Sequence, residues 1–162
     1  MIRSNQGKSF QDYMSGNVCY GCGIKNKKGL QIKSFWVGQK SHCYWSPQPH
    51  FEGWRNIMNG GIIATIIDCH CMGTAMAYAY KKENRELSSS PHYRYATANL
   101  NISYLKPTPN DKIFLECQVN QYTDKKVIMS CIVYSGKIKT VESEVVAVRV
   151  FDSSKSQKKK YF

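Results

Sequence analysis

Acidic residues are scarce in this chain: eleven Asp and Glu stand against 23 Lys and Arg, a formal net charge of +12 over 162 residues. That imbalance favours anionic partners, among them phosphorylated small molecules, lipid headgroups and nucleic acid. The basic residues are dispersed, however, at Lys25, Lys27 and Lys28, at Lys81, Lys82 and Arg85, at Lys125 and Lys126, and in the final segment. They form no stripe of the kind that follows a phosphate backbone, so no nucleic-acid partner is expected. No run approaches the ~18–20 apolar residues of a membrane span, so no membrane partner is expected either. The opening MIRSNQGKSF lacks the apolar segment of a signal peptide. The seven cysteines are odd in number and irregularly spaced, which argues against a disulfide framework. A reduced, soluble, cytoplasmic protein is the expectation.

What is present suffices for one domain with a sizeable core, since 42% of residues are hydrophobic. Residues 1–16 read as a polar, loosely ordered lead-in, 17–152 as the domain, and 153–162 as a basic tail. There is no internal repeat and no interdomain linker. LQIKSFWV and KSHCYWSP read as short strands, bounded by Gly38 and Pro47. TANLNISYLKP alternates, with Leu100, Ile102 and Tyr104 on one side and Asn99, Asn101 and Ser103 on the other. DKIFLECQVNQY, KKVIMSCIVYSG and IKTVESEVVAVRVF are three further strands, joined by turns at Thr123-Asp124 and Ser135-Gly136. Between these groups, the segment after Gly60 is apolar nearly all round, as in a helix buried in a core. The fold class is α+β: an antiparallel sheet of five or more strands around one long central helix.

The helical segment holds one carboxylate, Asp68, and is preceded by Asn59-Gly60-Gly61. Asn59 is a candidate N-cap. The two glycines allow close backbone approach and leave amides at the helix start, where they attract an anion or a polarised carbonyl oxygen. At 3.6 residues per turn, Asp68 shares a face with Gly61, Ala64, Thr65 and Met72, and the small residues leave room beside the carboxylate. This arrangement suits acyl chemistry, with donors for an oxyanion and a carboxylate to activate water or to attack. Residue types alone leave a second reading open, in which Asp68 is a core aspartate with a hydrogen-bond partner or a solvent-facing helix residue.

Three segments, CYGCGIKNKKGLQI, FEGWRNIMNGGIIATIIDCHCMGTAMA and TANLNISYLKPTPNDKIFLECQV, resemble in this order the hotdog-fold thioesterases. The nearest branch is the acyl-CoA thioesterase of phenylacetate-pathway type, and the likeness covers residues 17–151. The resemblance implies a sheet wrapped around a long helix, a homodimer or a dimer of dimers, and an active site between subunits. It implies acyl-CoA as substrate, with no cofactor and no metal. It matches Asp68 to the catalytic carboxylate, Gly60 with Gly61 to the amides that polarise the thioester carbonyl, and Thr97 to a hydroxyl that positions water from the partner's facing strand. Gly53, Trp54, Thr65 and Met72 are candidate substrate-site residues, and Trp54 with Phe51 reads either as a pocket wall or as ordinary loop packing.

The chain departs from the family pattern in three places. Asn59 replaces the motif His, Cys69 replaces a frequent Glu, and Arg55-Asn56 replaces a frequent Pro-Gly. An amide can donate a hydrogen bond but cannot exchange a proton near neutral pH, so an orienting role at Asn59 survives and an acid/base role does not. The alternative function is therefore acyl-CoA binding without turnover.

Cys19-Tyr20-Gly21-Cys22 has the spacing of a zinc half-site or a redox pair. Two further ligands would be needed, and Cys69, His70 and Cys71, adjacent on a helix, point in different directions. No metal is expected on that ground. His70 reads as a core or interface histidine, and His50 as a loop residue near the motif.

Overall fold

Helix α1 (Gly60–Lys82) is built by the features read in its sequence. The Asn59 side chain caps its start, accepting from the Gly61 and Ile62 amides. At the other end Lys81 and Lys82 complement the helix dipole. Asn84 then takes a left-handed conformation, φ +52°, so that the Arg85 amide reaches the Tyr80 carbonyl at 2.9 Å and closes the last turn.

The computed structural model describes residues 7–155. Before α1 come β1 (Phe35–Val37), β2 (Lys40–Trp45), β3 (Glu52–Trp54) and β4 (Ile57–Met58); after it come β5 (Tyr93–Tyr104), β6 (Ile113–Tyr122), β7 (Lys126–Ser135) and β8 (Ile138–Asp152). Six of them form one sheet in the order β1-β2-β6-β7-β8-β5, with every neighbouring pair antiparallel. The hairpin β3-β4 stands apart, just ahead of the helix. The sheet packs on α1 through alternate residues: Leu115 and Cys117 of β6, Val127, Met129, Cys131 and Val133 of β7, Val141 and Val145 of β8. These meet Ile63, Ile66, Ile67 and Ala75 of the helix in one core cluster. Burying each such side chain stabilises the fold by about 1.5–3 kcal/mol before entropy is counted.

The structure corrects several sequence expectations. Only Phe35–Val37 of LQIKSFWV is strand; Leu30 and Ile32 instead donate their amides to Tyr20 and Gly21 of the cysteine loop. Strand β5 starts at Tyr93, four residues before the alternation in the sequence becomes readable. The lead-in is packed where it is described: Phe10 and Gln11 are buried in a 3-10 turn, and the Gln11 amide group donates to Ser34 Oγ at 2.9 Å. Residues 1–6 and 156–162, the outer parts of the expected lead-in and tail, lie outside the described residues. By length and mean hydropathy α1 could cross a bilayer, contrary to the reading of apolar runs, yet most of it is buried inside the fold. Its first half packs on the sheet and its second half also on Phe10.

Candidate active site

One stripe of α1 escapes the core. Gly61 is exposed and Ala64, Thr65, Asp68 and Met72 are half-buried, while Ile63, Ile66, Ile67 and Cys69–Cys71 between them are buried. This is the face that helical spacing assigned to Asp68. Strand β5, at the sheet edge, lies along it. At one point Thr97 Oγ1 donates to Asp68 Oδ1 in a short hydrogen bond. At another, the Tyr104 hydroxyl donates to the Gly60 carbonyl at 2.7 Å. The ladder between β5 and β8 slips between Thr97 and Asn99, a bulge that leaves Ala98 without a pair. Thr97 thus meets Asp68 within a single chain, where the resemblance placed the hydroxyl on a partner's strand.

Burial raises the Asp68 pKa above the usual carboxylate range, and a Cys19 thiolate nearby pushes in the same direction. The bond from Thr97 acts against both by favouring the charged form. Thr65 spends its hydroxyl on the Gly61 carbonyl at 2.9 Å, and Met72 packs against the core. Neither offers a free polar group to a substrate.

At the helix start the cap decides which amides are free. Asn59 Oδ1 accepts from Gly61 N at 2.8 Å and from Ile62 N at 3.4 Å. The Gly61 amide is therefore consumed, which corrects its expected role as an oxyanion donor. Gly60 N–H has no partner among the described residues. With its oxygen in the cap, Asn59 retains Nδ2 as a donor. A cleft of about 400 Å³ opens here, lined by Ile57, Gly60, Ile63, Tyr104, Lys106 and Thr108 among others. Thr108 is buried and its hydroxyl has no hydrogen-bond partner among the described residues. Gly53 lies against Asn59, where an added Cβ would come 3.3 Å from the Asn59 Cα. Trp54, expected as a pocket wall, is 83% exposed and lies outside the cleft lining, because the β3-β4 hairpin turns it to solvent. Phe51 packs on Trp45 and His50 instead.

The sequence reading did not name Tyr104 and Thr108, which line the cleft. Tyr104 was legible in part, sharing the inward side of β5 with Leu100 and Ile102. Thr108 carries no local signal, since its burial depends on β4: the Met58 amide donates to its carbonyl at 2.9 Å.

The histidine and cysteines of α1 separate as their spacing requires. His70 is buried, with Nδ1 2.8 Å from Ser34 Oγ, and burial lowers its pKa. Cys71 faces Cys117 in the core, Sγ to Sγ 3.7 Å. Cys69 alone turns to the Cys19–Cys22 loop, and the three sulfurs lie within 4.8 Å of one another.

A model of the thioesterase superfamily matches residues 55–142. Acyl-coenzyme A thioesterase THEM4 of Rattus norvegicus is 30% identical over 107 residues, covering 65% of this chain and 40% of that protein. The chain spans about two fifths of the length of the curated relatives it matches. Among solved structures, a thioesterase superfamily protein from Shewanella loihica PV-4 is 29% identical with a TM-score of 0.61, covering 74% of this chain and 90% of that one. A phenylacetic acid degradation-related protein from Ralstonia eutropha JMP134 shares the fold at 11% identity, TM-score 0.61, over 74% of this chain and 85% of that one.

Proposed function

The chain belongs to the thioesterase superfamily, and from that premise we propose that it hydrolyses an acyl-coenzyme A thioester to free acid and coenzyme A. The observation that carries this reading is Asp68, held by Thr97 on the open stripe of α1, with the unpaired Gly60 amide at the head of the same stripe. The thioester carbonyl sits at the helix start, where Gly60 N–H and the positive end of the helix dipole stabilise negative charge on oxygen. Asn59 Nδ2 orients the same group. Asp68 takes a proton from water as its oxygen attacks the carbonyl carbon. The tetrahedral intermediate collapses with loss of the C–S bond, and the proton passes from Asp68 to the leaving thiolate. In the other route Asp68 itself attacks and the C–S bond breaks with loss of the coenzyme A thiolate; water then opens the acyl anhydride, giving the free acid and the Asp68 carboxylate, and the proton released goes to the thiolate. A raised Asp68 pKa suits the first route, in which the group must both accept and return a proton. Thr97 fixes the carboxylate so that one oxygen stays directed to the reacting centre.

Two features bear on substrate and assembly. The net charge of +12 fits a ligand carrying nucleotide phosphates. Strand β5 is a twelve-residue edge that pairs, among the described residues, with β8 alone. Pairing with β5 of a second copy covers that edge and puts the open stripe beside the interface, giving a homodimer or a dimer of dimers. Seven free thiols fit a reducing, cytoplasmic setting.

A second reading, acyl-CoA binding without turnover, is favoured by Asn59, whose oxygen serves the cap and which cannot move a proton. Thiol release from short, medium, long and aryl acyl-CoAs separates the two. Hydrolysis expects release by wild type and a loss of ~10²–10⁴-fold in Asp68→Asn. Tight binding by calorimetry with no release across the panel leaves the binding module.

A further inference from the structure

We propose that Cys19, Cys22 and Cys69 form a binding site for a thiophilic closed-shell cation, Zn2+, that ties the loop beginning at Asn17 to helix α1. The site neighbours Asp68 through Cys69, but the proposal does not depend on the thioesterase reading.

Cys69 is 47 positions from Cys22 and 50 from Cys19 in the chain, yet all three sulfurs lie within 4.8 Å of one another, and Cys19 Sγ is 3.7 Å from Cys69 Sγ. Tetrahedral zinc holds thiolates at ~2.3 Å, which puts pairs of sulfurs about 3.8 Å apart. The spacing already matches an edge of that tetrahedron. The loop is shaped around the sulfurs. Gly21 N–H donates to Cys19 Sγ at 3.4 Å, and Asn17 Nδ2 donates to Cys22 Sγ at 3.4 Å. Donors of this kind stabilise thiolates and orient them on a metal. Gly23 N–H closes the turn on the Cys19 carbonyl at 2.9 Å, and an added Cβ at Gly23 would come 2.5 Å from the Cys19 amide nitrogen. At Gly21 any side chain would collide with the Cys69 sulfur. Glycine is therefore required at both positions for the sulfurs to converge.

Access agrees with this assignment. Cys19 is exposed while Cys22 and Cys69 are buried, which gives a metal one route in. Soft sulfur donors select zinc over magnesium or calcium. A disulfide would join two of the sulfurs and leave the third without a role.

The test uses the full chain, purified under reductant. Elemental analysis is expected to find close to one zinc per chain. Co2+ added to the metal-free protein is expected to give the visible bands of tetrahedral thiolate cobalt. Cys19→Ser and Cys69→Ser should lose the metal, whereas Cys43→Ala, in the core away from the site, should keep it. Asn17→Ala leaves all three sulfurs and should weaken affinity by about tenfold or more. Wild-type protein with fully reduced thiols that carries no zinc and gives no cobalt spectrum overturns the proposal. So does a Cys69→Ser variant that binds zinc as tightly as wild type.

Discussion

Asp68-Cys69 and His70-Cys71 are successive pairs on one helix, and they live in different chemical worlds. Asp68 lies on the open stripe and meets a hydroxyl from an edge strand. His70, two positions on, is enclosed and held by Ser34. Cys69 opens onto an exposed thiol, whereas Cys71 meets another thiol between helix and sheet. Burial alone pushes the core thiol of Cys43 up to about 12, so it behaves as a small apolar side chain, while Cys19 is drawn down to about 5 by its donors. Residue type does not assign a role here. A rotation of 200° along the helix separates groups that can react from groups that only pack.

The comparison breaks most visibly on the open side. Asp68→Asn should lower thiol release ~10²–10⁴-fold, about 3–5 kcal/mol of barrier, with a melting temperature close to wild type. A variant that turns over at the wild-type rate would remove Asp68 from the mechanism. The enclosed side should answer in the opposite currency. Ile66 is fully buried, and Ile66→Ala should cost about 2–5 kcal/mol in urea unfolding, with the rate per folded molecule changed little. A large loss of rate without loss of stability would mean that the two faces are not separable.

Asn59 sits where the faces meet, and its replacement sharpens the contrast by touching both. Asn59→Ala removes the cap, about 0.5–2 kcal/mol of stability, and one donor at the reacting carbonyl, about 1–3 kcal/mol of transition-state stabilisation. Asn59→His should be tolerated or improve the rate; steady-state kinetics beside thermal melts resolve the two contributions. The smallest effect is expected at Trp54. Because it is turned to solvent, Trp54→Ala should shift stability by no more than about 0.5 kcal/mol. A larger loss, appearing only in assembled protein on a sedimentation run, would reveal a wall completed by a second copy.

The helix, its cap and its open stripe were legible because each depends on neighbours within one or two turns. Asn59 precedes two glycines, and Asp68 stands seven residues after Gly61. The strands from Ile113 onward were legible for the same reason, since alternation and hairpin turns are local. Long-range consequences were not. That Leu30 and Ile32 would bond to the cysteine loop, that Thr108 would be buried under β4, and that only Cys69 would reach Cys19 and Cys22 are facts of tertiary approach. The Gly61 amide illustrates a finer limit: the sequence supplies both the donor and the cap, but only geometry shows that one consumes the other.

The bulge at Ala98 has a consequence for how β5 is spelled. Tyr93, Tyr95 and Thr97 face the helix on odd positions, while Leu100 and Ile102 pack against the core on even ones. An uninterrupted two-residue repeat could present one set or the other, never both. The unpaired residue changes the phase, so the strand reads as two words separated by a space. Chain length at this point is therefore as much a coded quantity as residue identity. Removing Ala98 keeps both words in frame, whereas a second insertion there would turn either Thr97 or the apolar pair away from the helix without altering a single one of those residues.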